Sequence, residues 1–263
     1  MYQTTYHRPS TIDEAAKLAS EDAKFISGGQ TLIPTMKQRL AAPSDLIDLT
    51  HVAGMTGITV DGSTVTIGAA TCHFDVATSD ALKGVCAGLA DLASHIGDPA
   101  VRHKGTIGGS IANNDPAADY PAALLALSAT VVTNTRELAA GDFFTGLFET
   151  ALEDGEIVTA VRFSAPEKSA YSKFPNPASR YAMAGVFVAK GGNGVRVAVA
   201  GAGNDGVYRD SAMEAALGGN FSAAALDGIS VDAGNMMSDM HASSEYRAAL
   251  VKTMAKRAVQ QIA

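Results

Sequence analysis

Two double-glycine segments constrain the fold of this chain more tightly than any other feature of its sequence. One is SGGQT at residues 27–31, between a predicted strand and a predicted helix, and the other is TIGGS at residues 106–110. Glycine adopts positive φ and lets the backbone come close to a ligand, and successive N–H groups form concavities that bind anions. The residues alone leave two interpretations open: tight turns, or two loops that hold the phosphates of a dinucleotide.

These segments do not match the motifs of the common nucleotide-binding folds. The chain has no G-x-x-x-x-G-K-[ST] motif, which excludes a P-loop. It also has no G-x-G-x-x-G after a strand; residues 201–203 begin that pattern, but the residues that follow them do not predict a helix. A Rossmann NAD site and a nucleoside triphosphatase are therefore not predicted.

Motifs for catalysis by side chains are missing as well. The histidines show no metal-ligand spacing, and no G-x-S-x-G nucleophile segment occurs. Cys72 and Cys86 are too few for an iron–sulfur cluster with its usual four thiolates; we predict two free thiols, with a single disulfide as the alternative. The sequence predicts no catalytic residue and no metal site, which is typical of a protein whose chemistry belongs to a bound cofactor.

Two polar side chains lie close to the second glycine segment in the sequence, and each has two interpretations. Asp119 either binds ribose hydroxyls or is an acidic residue that favours a helix N-terminus, and the segment by itself favours the second interpretation. His103, between Arg102 and Lys104, either faces a phosphate or is solvated.

Composition narrows the class of protein. A length of 263 residues suits two domains, and the net charge of −7 argues against a nucleic-acid partner. No apolar stretch is long enough for a membrane span, and the N-terminus lacks a basic-then-apolar signal pattern. We therefore expect a soluble cytoplasmic protein.

Short predicted strands mixed with short helices indicate an α+β fold. The proline-rich stretch at residues 164–179 predicts a domain boundary. Before it we expect a helix at 82–96 and no helix at 105–115, where glycine is frequent. After it we expect paired strands at 184–189 and 195–200 and an amphipathic helix at 245–262.

The chain resembles the FAD-binding medium subunit of molybdenum hydroxylases, the carbon monoxide dehydrogenase medium-chain type within the xanthine dehydrogenase family. The resemblance runs in order through almost the whole chain, and its most specific parts are the two glycine segments. The matching segments are residues 26–40, 67–76, 95–127, 142–163, 171–189 and 240–259.

The resemblance implies an α+β fold with two domains. Residues 1–165 would form the two-part FAD-binding domain of the vanillyl-alcohol oxidase and UDP-N-acetylmuramate reductase type. Residues 166–263 would form the smaller α/β C-terminal domain of the medium subunit.

The resemblance also implies a set of FAD contacts. The glycine segments would wrap the pyrophosphate, Asp119 would bond the ribose or ribityl region, Tyr181 would lie near the isoalloxazine, and Lys173 is a further candidate. The chain has Ser27 where the family usually has Ala, and Gln30 where His or Gln occurs. The implied cofactor-binding residues are Ser27, Gly28, Gly29, Gln30, Thr31, Thr106, Ile107, Gly108, Gly109, Ser110, Asp119, Tyr181 and Lys173.

The family further implies partners and a role. A large subunit would hold the molybdenum–pterin cofactor and a small subunit two 2Fe–2S clusters, in a dimer of heterotrimers. FAD in this chain would pass electrons from the clusters to an external acceptor. The alternatives are a stand-alone FAD-dependent oxidoreductase with its own small-molecule substrate and a non-catalytic subunit with a vestigial flavin site. The intact glycine segments argue against the last of these.

Overall fold

A computed structural model describes residues 1–263 and confirms the α+β architecture. The strands are β1 (Thr5–His7), β2 (Ala23–Ile26), β3 (Asp45–Asp48), β4 (Ile58–Asp61), β5 (Thr64–Gly68), β6 (Thr130–Thr133), β7 (Glu137–Ala139), β8 (Phe144–Gly146), β9 (Glu149–Thr150), β10 (Val158–Ser164), β11 (Lys168–Pro175), β12 (Ala182–Gly191), β13 (Gly194–Ala200) and β14 (Tyr208–Arg209). The α-helices are α1 (Ile12–Lys17), α2 (Leu32–Lys37), α3 (His73–Thr78), α4 (Asp80–Val85), α5 (Ala87–Ser94), α6 (Pro99–Arg102), α7 (Ile107–Asn113), α8 (Tyr120–Ala126), α9 (Ala140–Phe143), α10 (Ser211–Gly219) and α11 (Ser244–Ile262).

The first part of the chain forms a small parallel sheet in the order β1-β3-β2. Helix α1 begins at Thr11, whose hydroxyl accepts a hydrogen bond from the Glu14 N–H at 3.2 Å. The Glu14 carboxylate in turn accepts one from the Ser10 N–H at 2.8 Å. Strand β2 ends at Ile26, so the first glycine segment leaves the carboxyl end of a parallel strand. Ligand sites are common at that position in α/β sheets.

The second layer is a five-stranded antiparallel sheet in the order β4-β5-β10-β6-β7. Helix α4 packs on β4, α7 on β10 and α9 on β6 and β7, whereas α5 contacts β11 and α8 contacts β12 and β13. The expected single helix at 82–96 is instead two helices, α4 and α5, which are separated at Cys86 (φ −152°). The break lies where the chain meets β11. The Gly88 N–H donates to the Ser169 hydroxyl at 3.1 Å, and a Cβ on Gly88 would lie 2.7 Å from the Ser169 backbone.

The absence of a helix at 105–115 was a wrong prediction, because α7 occupies residues 107–113. Its glycines do disfavour a helix, by about 1 kcal/mol each relative to alanine. Gly108 is required because the helix packs closely on Ala69: a Cβ on Gly108 would lie 2.5 Å from the Cβ of Ala69. Thr106 caps the helix by accepting the Gly109 N–H at 3.2 Å. Close packing on the sheet therefore outweighs the local preference.

The last part of the chain is an antiparallel sheet, β11-β12-β13-β14, with its own hydrophobic core beneath α10 and α11. The predicted strand pair and C-terminal helix are confirmed. Arg247 of α11 is buried, and its guanidinium donates to the Met183 and Gly201 carbonyls and pairs with Asp239. These bonds tie the start of β12 to the end of β13.

Both cysteines are free thiols. None of the helices combines the length and the apolarity that crossing a bilayer requires.

Candidate functional site

A cleft of about 680 Å³ brings the two glycine segments together. This volume lies within the range of roughly 300–1,000 Å³ that is usual for small-molecule sites. Most of the residues that the resemblance implied as FAD contacts line it: Ser27, Gly28, Gly29, Gln30, Thr31, Thr106, Gly109, Ser110, Asp119 and Tyr181. Ile107, Gly108 and Lys173 are not among the lining residues.

The first glycine segment presents free backbone donors to this cleft. The N–H groups of Gly28, Gly29, Gln30 and Thr31 donate to no acceptor within the protein. Gly29 has φ +68°, a conformation that other residues rarely adopt, and it turns the chain from β2 toward α2. Unpaired N–H groups in succession are suited to binding the oxygens of an anionic ligand.

The second glycine segment uses its backbone donors internally. The Ile107 N–H donates to the Thr71 carbonyl at 3.1 Å, and the Gly108 N–H donates to the Ala69 carbonyl at 2.8 Å. The side chain of Ile107 is fully buried in the core. This segment therefore offers the cleft the surface of Gly109 and the hydroxyl side chains of Thr106 and Ser110, but no N–H group of Ile107 or Gly108.

The first segment packs closely against residues 104–106, where the second segment begins, which explains the need for Gly28. A Cβ at that position would lie 2.3 Å from the Lys104 carbonyl oxygen and 2.5 Å from the Cα of Gly105. The Thr106 hydroxyl also donates to the Ser27 hydroxyl at 3.1 Å. The second segment thus meets the first through Thr106, and its other residues form the facing wall of the cleft.

Asp119 lies at the cleft but is already engaged by side chains of the last sheet. The Tyr171 hydroxyl donates to its carboxylate, and Lys173 forms an ion pair with it at 3.0 Å. Lys173 also donates to the His95 carbonyl at 3.0 Å. Burial raises the pKa of the Asp119 carboxyl above its ordinary value, and the Lys173 ammonium opposes this rise. Lys173 therefore lies behind Asp119, where it joins α8 to β11.

Tyr181 lies at the mouth of the cleft, on the loop between β11 and β12. Its ring is about half exposed, and burial of the rest raises the pKa of its hydroxyl. The loop is held by the Asn176 N–H, which donates to the Tyr181 carbonyl at 2.8 Å. Arg180 donates across the cleft to the Gly97 carbonyl at 3.2 Å. These bonds give the proline-rich loop a defined conformation. Through Arg180, the loop also joins the last sheet to residue 97 in the first part of the chain.

The cleft also contains residues that the sequence did not single out: His73, Asp115, Phe148 and Arg180. The lone His73 has no motif around it, and the others come from loops that are far apart in the sequence. His103, by contrast, does not line the cleft. It stacks on Phe74 with the ring centroids 4.1 Å apart, and it is exposed.

Comparison with known proteins gives a consistent result. The family model for the FAD binding domain in molybdopterin dehydrogenase matches residues 2–166, and that for the CO dehydrogenase flavoprotein C-terminal domain matches residues 169–262. The chain is 34% identical to the carbon monoxide dehydrogenase medium chain of Hydrogenophaga pseudoflava, over 97% of this chain and 95% of that protein. It is 35% identical to the nicotine 6-hydroxylase medium subunit of Paenarthrobacter nicotinovorans, with the same two coverages. A solved structure of carbon monoxide dehydrogenase from Hydrogenophaga pseudoflava superposes with a TM-score of 0.87 at 34% identity, covering 98% of this chain and 96% of that one.

Proposed function

Because this chain belongs to the FAD-binding medium subunits of the molybdenum hydroxylases, of the carbon monoxide dehydrogenase type, we propose that it carries electrons from the 2Fe–2S clusters of a partner subunit to an external acceptor. It is an oxidoreductase subunit whose cofactor is FAD. The single observation that carries the proposal is the row of free N–H groups from Gly28 to Thr31 in a cleft of dinucleotide size.

The residues present fit this cofactor. A pyrophosphate needs several hydrogen-bond donors, and the first glycine segment supplies four successive unpaired N–H groups at the cleft, from Gly28 to Thr31. We assign pyrophosphate binding to residues 27–31, with Thr106, Gly109 and Ser110 forming the opposite wall. Ile107 and Gly108 act indirectly, by holding that wall against Thr71 and Ala69. FAD, when bound, supplies the redox chemistry.

Asp119, Lys173 and Tyr181 complete the proposed site in different ways. The Asp119 carboxylate borders the cleft, where it would accept from a cofactor hydroxyl while Lys173 neutralises its charge. Tyr181 stands at the opening, where its ring controls which molecules approach the cofactor. We also propose the domain boundary near residue 165, in the short connection between β10 and β11.

The names of the relatives imply that the chain works together with other subunits. The relatives named above are called a medium chain and a medium subunit, which are names for one part of a larger enzyme. With two cysteines, this chain lacks the thiolates for 2Fe–2S clusters of its own. We therefore propose a small subunit with these clusters and a large molybdopterin subunit as partners, in a dimer of heterotrimers. Substrate choice would then reside in the large subunit, as the different substrates named for the relatives suggest.

The test is an absorption spectrum of the purified chain before and after incubation with FAD and desalting, followed by the same measurement on a complex co-expressed with the neighbouring genes. The proposal predicts flavin bands, release of FAD rather than FMN on denaturation, and flavin reduction only when the partners and their substrate are present. Flavin reduction of the chain alone by a small-molecule substrate would instead establish a stand-alone oxidoreductase. No FAD in either preparation would contradict the site.

A further inference from the structure

We propose that His73 is a further cofactor-binding residue, whose Nε2–H donates a hydrogen bond to a phosphate oxygen of FAD, and that Tyr120 fixes the required tautomer from behind. This inference rests on the proposed function, since FAD is the ligand. It concerns a histidine that no motif in the sequence marks.

His73 lies at the junction of the two glycine segments. Its backbone N–H donates to the Gly105 carbonyl at 2.9 Å, and its side chain is only 4% exposed. The ring lines the cleft, and its Nε2 is so close to Gly105 that a Cβ there would lie 2.6 Å away. Gly28 touches Gly105 as well. The imidazole therefore lies next to the place where the free N–H groups begin.

Both nitrogens of the ring lack a partner. His73 Nδ1 is buried without a hydrogen bond, and the hydroxyl of the fully buried Tyr120 is in the same condition. The centroids of these two rings are 5.3 Å apart, with an interplanar angle of 49°. Buried polar atoms almost always have a partner. The two atoms make no direct hydrogen bond with each other, so a single buried water between the rings is the arrangement that would satisfy both.

The pKa values of His73 and Tyr120 show that both side chains are neutral near pH 7. Burial, with a contribution from Arg102, lowers the pKa of His73 to about 4, so the ring is neutral near pH 7 and carries one N–H. Burial raises the pKa of Tyr120 well above its ordinary value, so its hydroxyl keeps its proton and can donate. A ring proton on Nδ1 would be buried without an acceptor, so the neutral ring carries its proton on Nε2 and leaves Nδ1 to accept from the Tyr120 side. Nε2 then becomes a donor beside the cleft.

The ligand group that faces this donor must be an acceptor. The first glycine segment, which meets Gly105 at Gly28, presents N–H donors from Gly28 to Thr31 to the same cleft. A phosphate oxygen satisfies donors of this kind, whereas a hydroxyl or an amino group of the cofactor satisfies them less well. This argument places the pyrophosphate, rather than the flavin ring, near His73.

The experiment compares His73→Leu, His73→Gln and Tyr120→Phe in whichever form of the wild type retains FAD, the chain alone or the co-expressed complex. After removal of the flavin, dissociation constants are measured for FAD and for ADP. We expect His73→Leu to weaken both about tenfold or more, because one hydrogen bond to a charged group is lost. His73→Gln keeps an N–H donor and should stay within about threefold. Tyr120→Phe should weaken both about threefold.

Two further readouts separate binding from a structural role. The thermal midpoints of flavin-free His73→Leu and Tyr120→Phe should fall by similar small amounts, because each variant leaves the other ring without its partner. Nitrogen-15 NMR of histidine-labelled protein should show the Nε2–H tautomer for His73, with a shift on adding ADP.

Unchanged affinity in His73→Leu would overturn the inference, as would an Nδ1–H tautomer or a parallel loss of stability and affinity without rescue by glutamine. A wild type that binds no FAD in either form would instead overturn the proposed function.

Discussion

The two double-glycine segments look alike in the sequence, but they perform different tasks in the structure. In the first, the N–H groups from Gly28 to Thr31 have no protein acceptor. In the second, the N–H groups of Ile107 and Gly108 donate to the neighbouring backbone. A glycine pair thus marks a close approach of the backbone, but the partner can be a ligand or another part of the same chain. Only the tertiary structure decides between them.

The largest effect is expected at the contact between the two segments. Gly28→Ala places a methyl group 2.3 Å from the Lys104 carbonyl oxygen, so the segments must move apart and the free donors lose their arrangement. We expect FAD affinity to fall at least about 100-fold, which corresponds to about 3 kcal/mol. Equilibrium dialysis with FAD measures this change. Gly84→Ala is the control, because its Cβ has nothing within 4 Å. Normal FAD retention by Gly28→Ala would show that the contact does not matter.

A smaller effect is expected where the second segment faces the cleft. Gly109→Asp places a carboxylate on the wall opposite the N–H groups, where it repels the phosphates. A repulsion of about 2 kcal/mol, reasonable for charges some 8 Å apart at an effective dielectric constant near 20, corresponds to a loss of about 30-fold in FAD affinity.

Gly109→Asn is the matched neutral control for this substitution. The difference between the two variants should shrink in 1 M salt, because salt screens the repulsion between charges. Equal affinities of the Asp and Asn variants at low salt would place the phosphates elsewhere.

Because the second segment uses its hydrogen bonds within the protein, a substitution at Thr106 should lower the stability of the fold more than the affinity for FAD. Thr106→Val removes the cap of α7 and the hydrogen bond to Ser27. Loss of a cap costs about 1 kcal/mol, so the thermal midpoint of the flavin-free chain should fall by about 2–4 °C. FAD affinity should change less than about tenfold, and Thr106→Ser should behave as the wild type. Calorimetry and dialysis on the same samples check both statements. Unchanged stability with a large loss of affinity would make Thr106 a direct ligand.

The smallest effect is expected for an exposed side chain of the first segment. Gln30 donates from its amide to the Gly28 carbonyl at 3.0 Å, and its backbone N–H is the group assigned to the cofactor. Gln30→Ala keeps that N–H, so FAD affinity should change less than about threefold. A change of more than tenfold in the same dialysis assay would mean that the side chain, and not the backbone, binds the cofactor.

Local sequence patterns predicted the elements that depend on local preference. The C-terminal helix and the strand pair of β12 and β13 were predicted correctly, since their apolar periodicity matches their buried faces. Helix α7 was missed, because its stability comes from Ala69, Thr71 and the Thr106 cap rather than from its own residues. The break at Cys86 was missed for the same kind of reason, contact with Ser169.

The candidate site, too, could be predicted from the sequence only in part. The glycine segments were visible in the sequence, and the structure brings them to one cleft. The partners of Asp119 were not visible, because Tyr171 and Lys173 come from a strand more than 50 residues further along the chain. His73 was not visible either, since its burial and its unpaired nitrogen are properties of the folded chain. Patterns reveal backbone requirements, whereas side-chain environments depend on long-range contacts.

The most direct test of the central claim is hydrogen–deuterium exchange of the protein with and without FAD. The account predicts that amides 28–31 exchange rapidly in the flavin-free protein and slow at least tenfold when FAD binds, because they have no protein acceptor. Amides 107 and 108 should be slow in both states, because they already donate to the Thr71 and Ala69 carbonyls. Amides 107 and 108 that exchange rapidly without FAD and become protected by it, with no change at 28–31, would contradict the account.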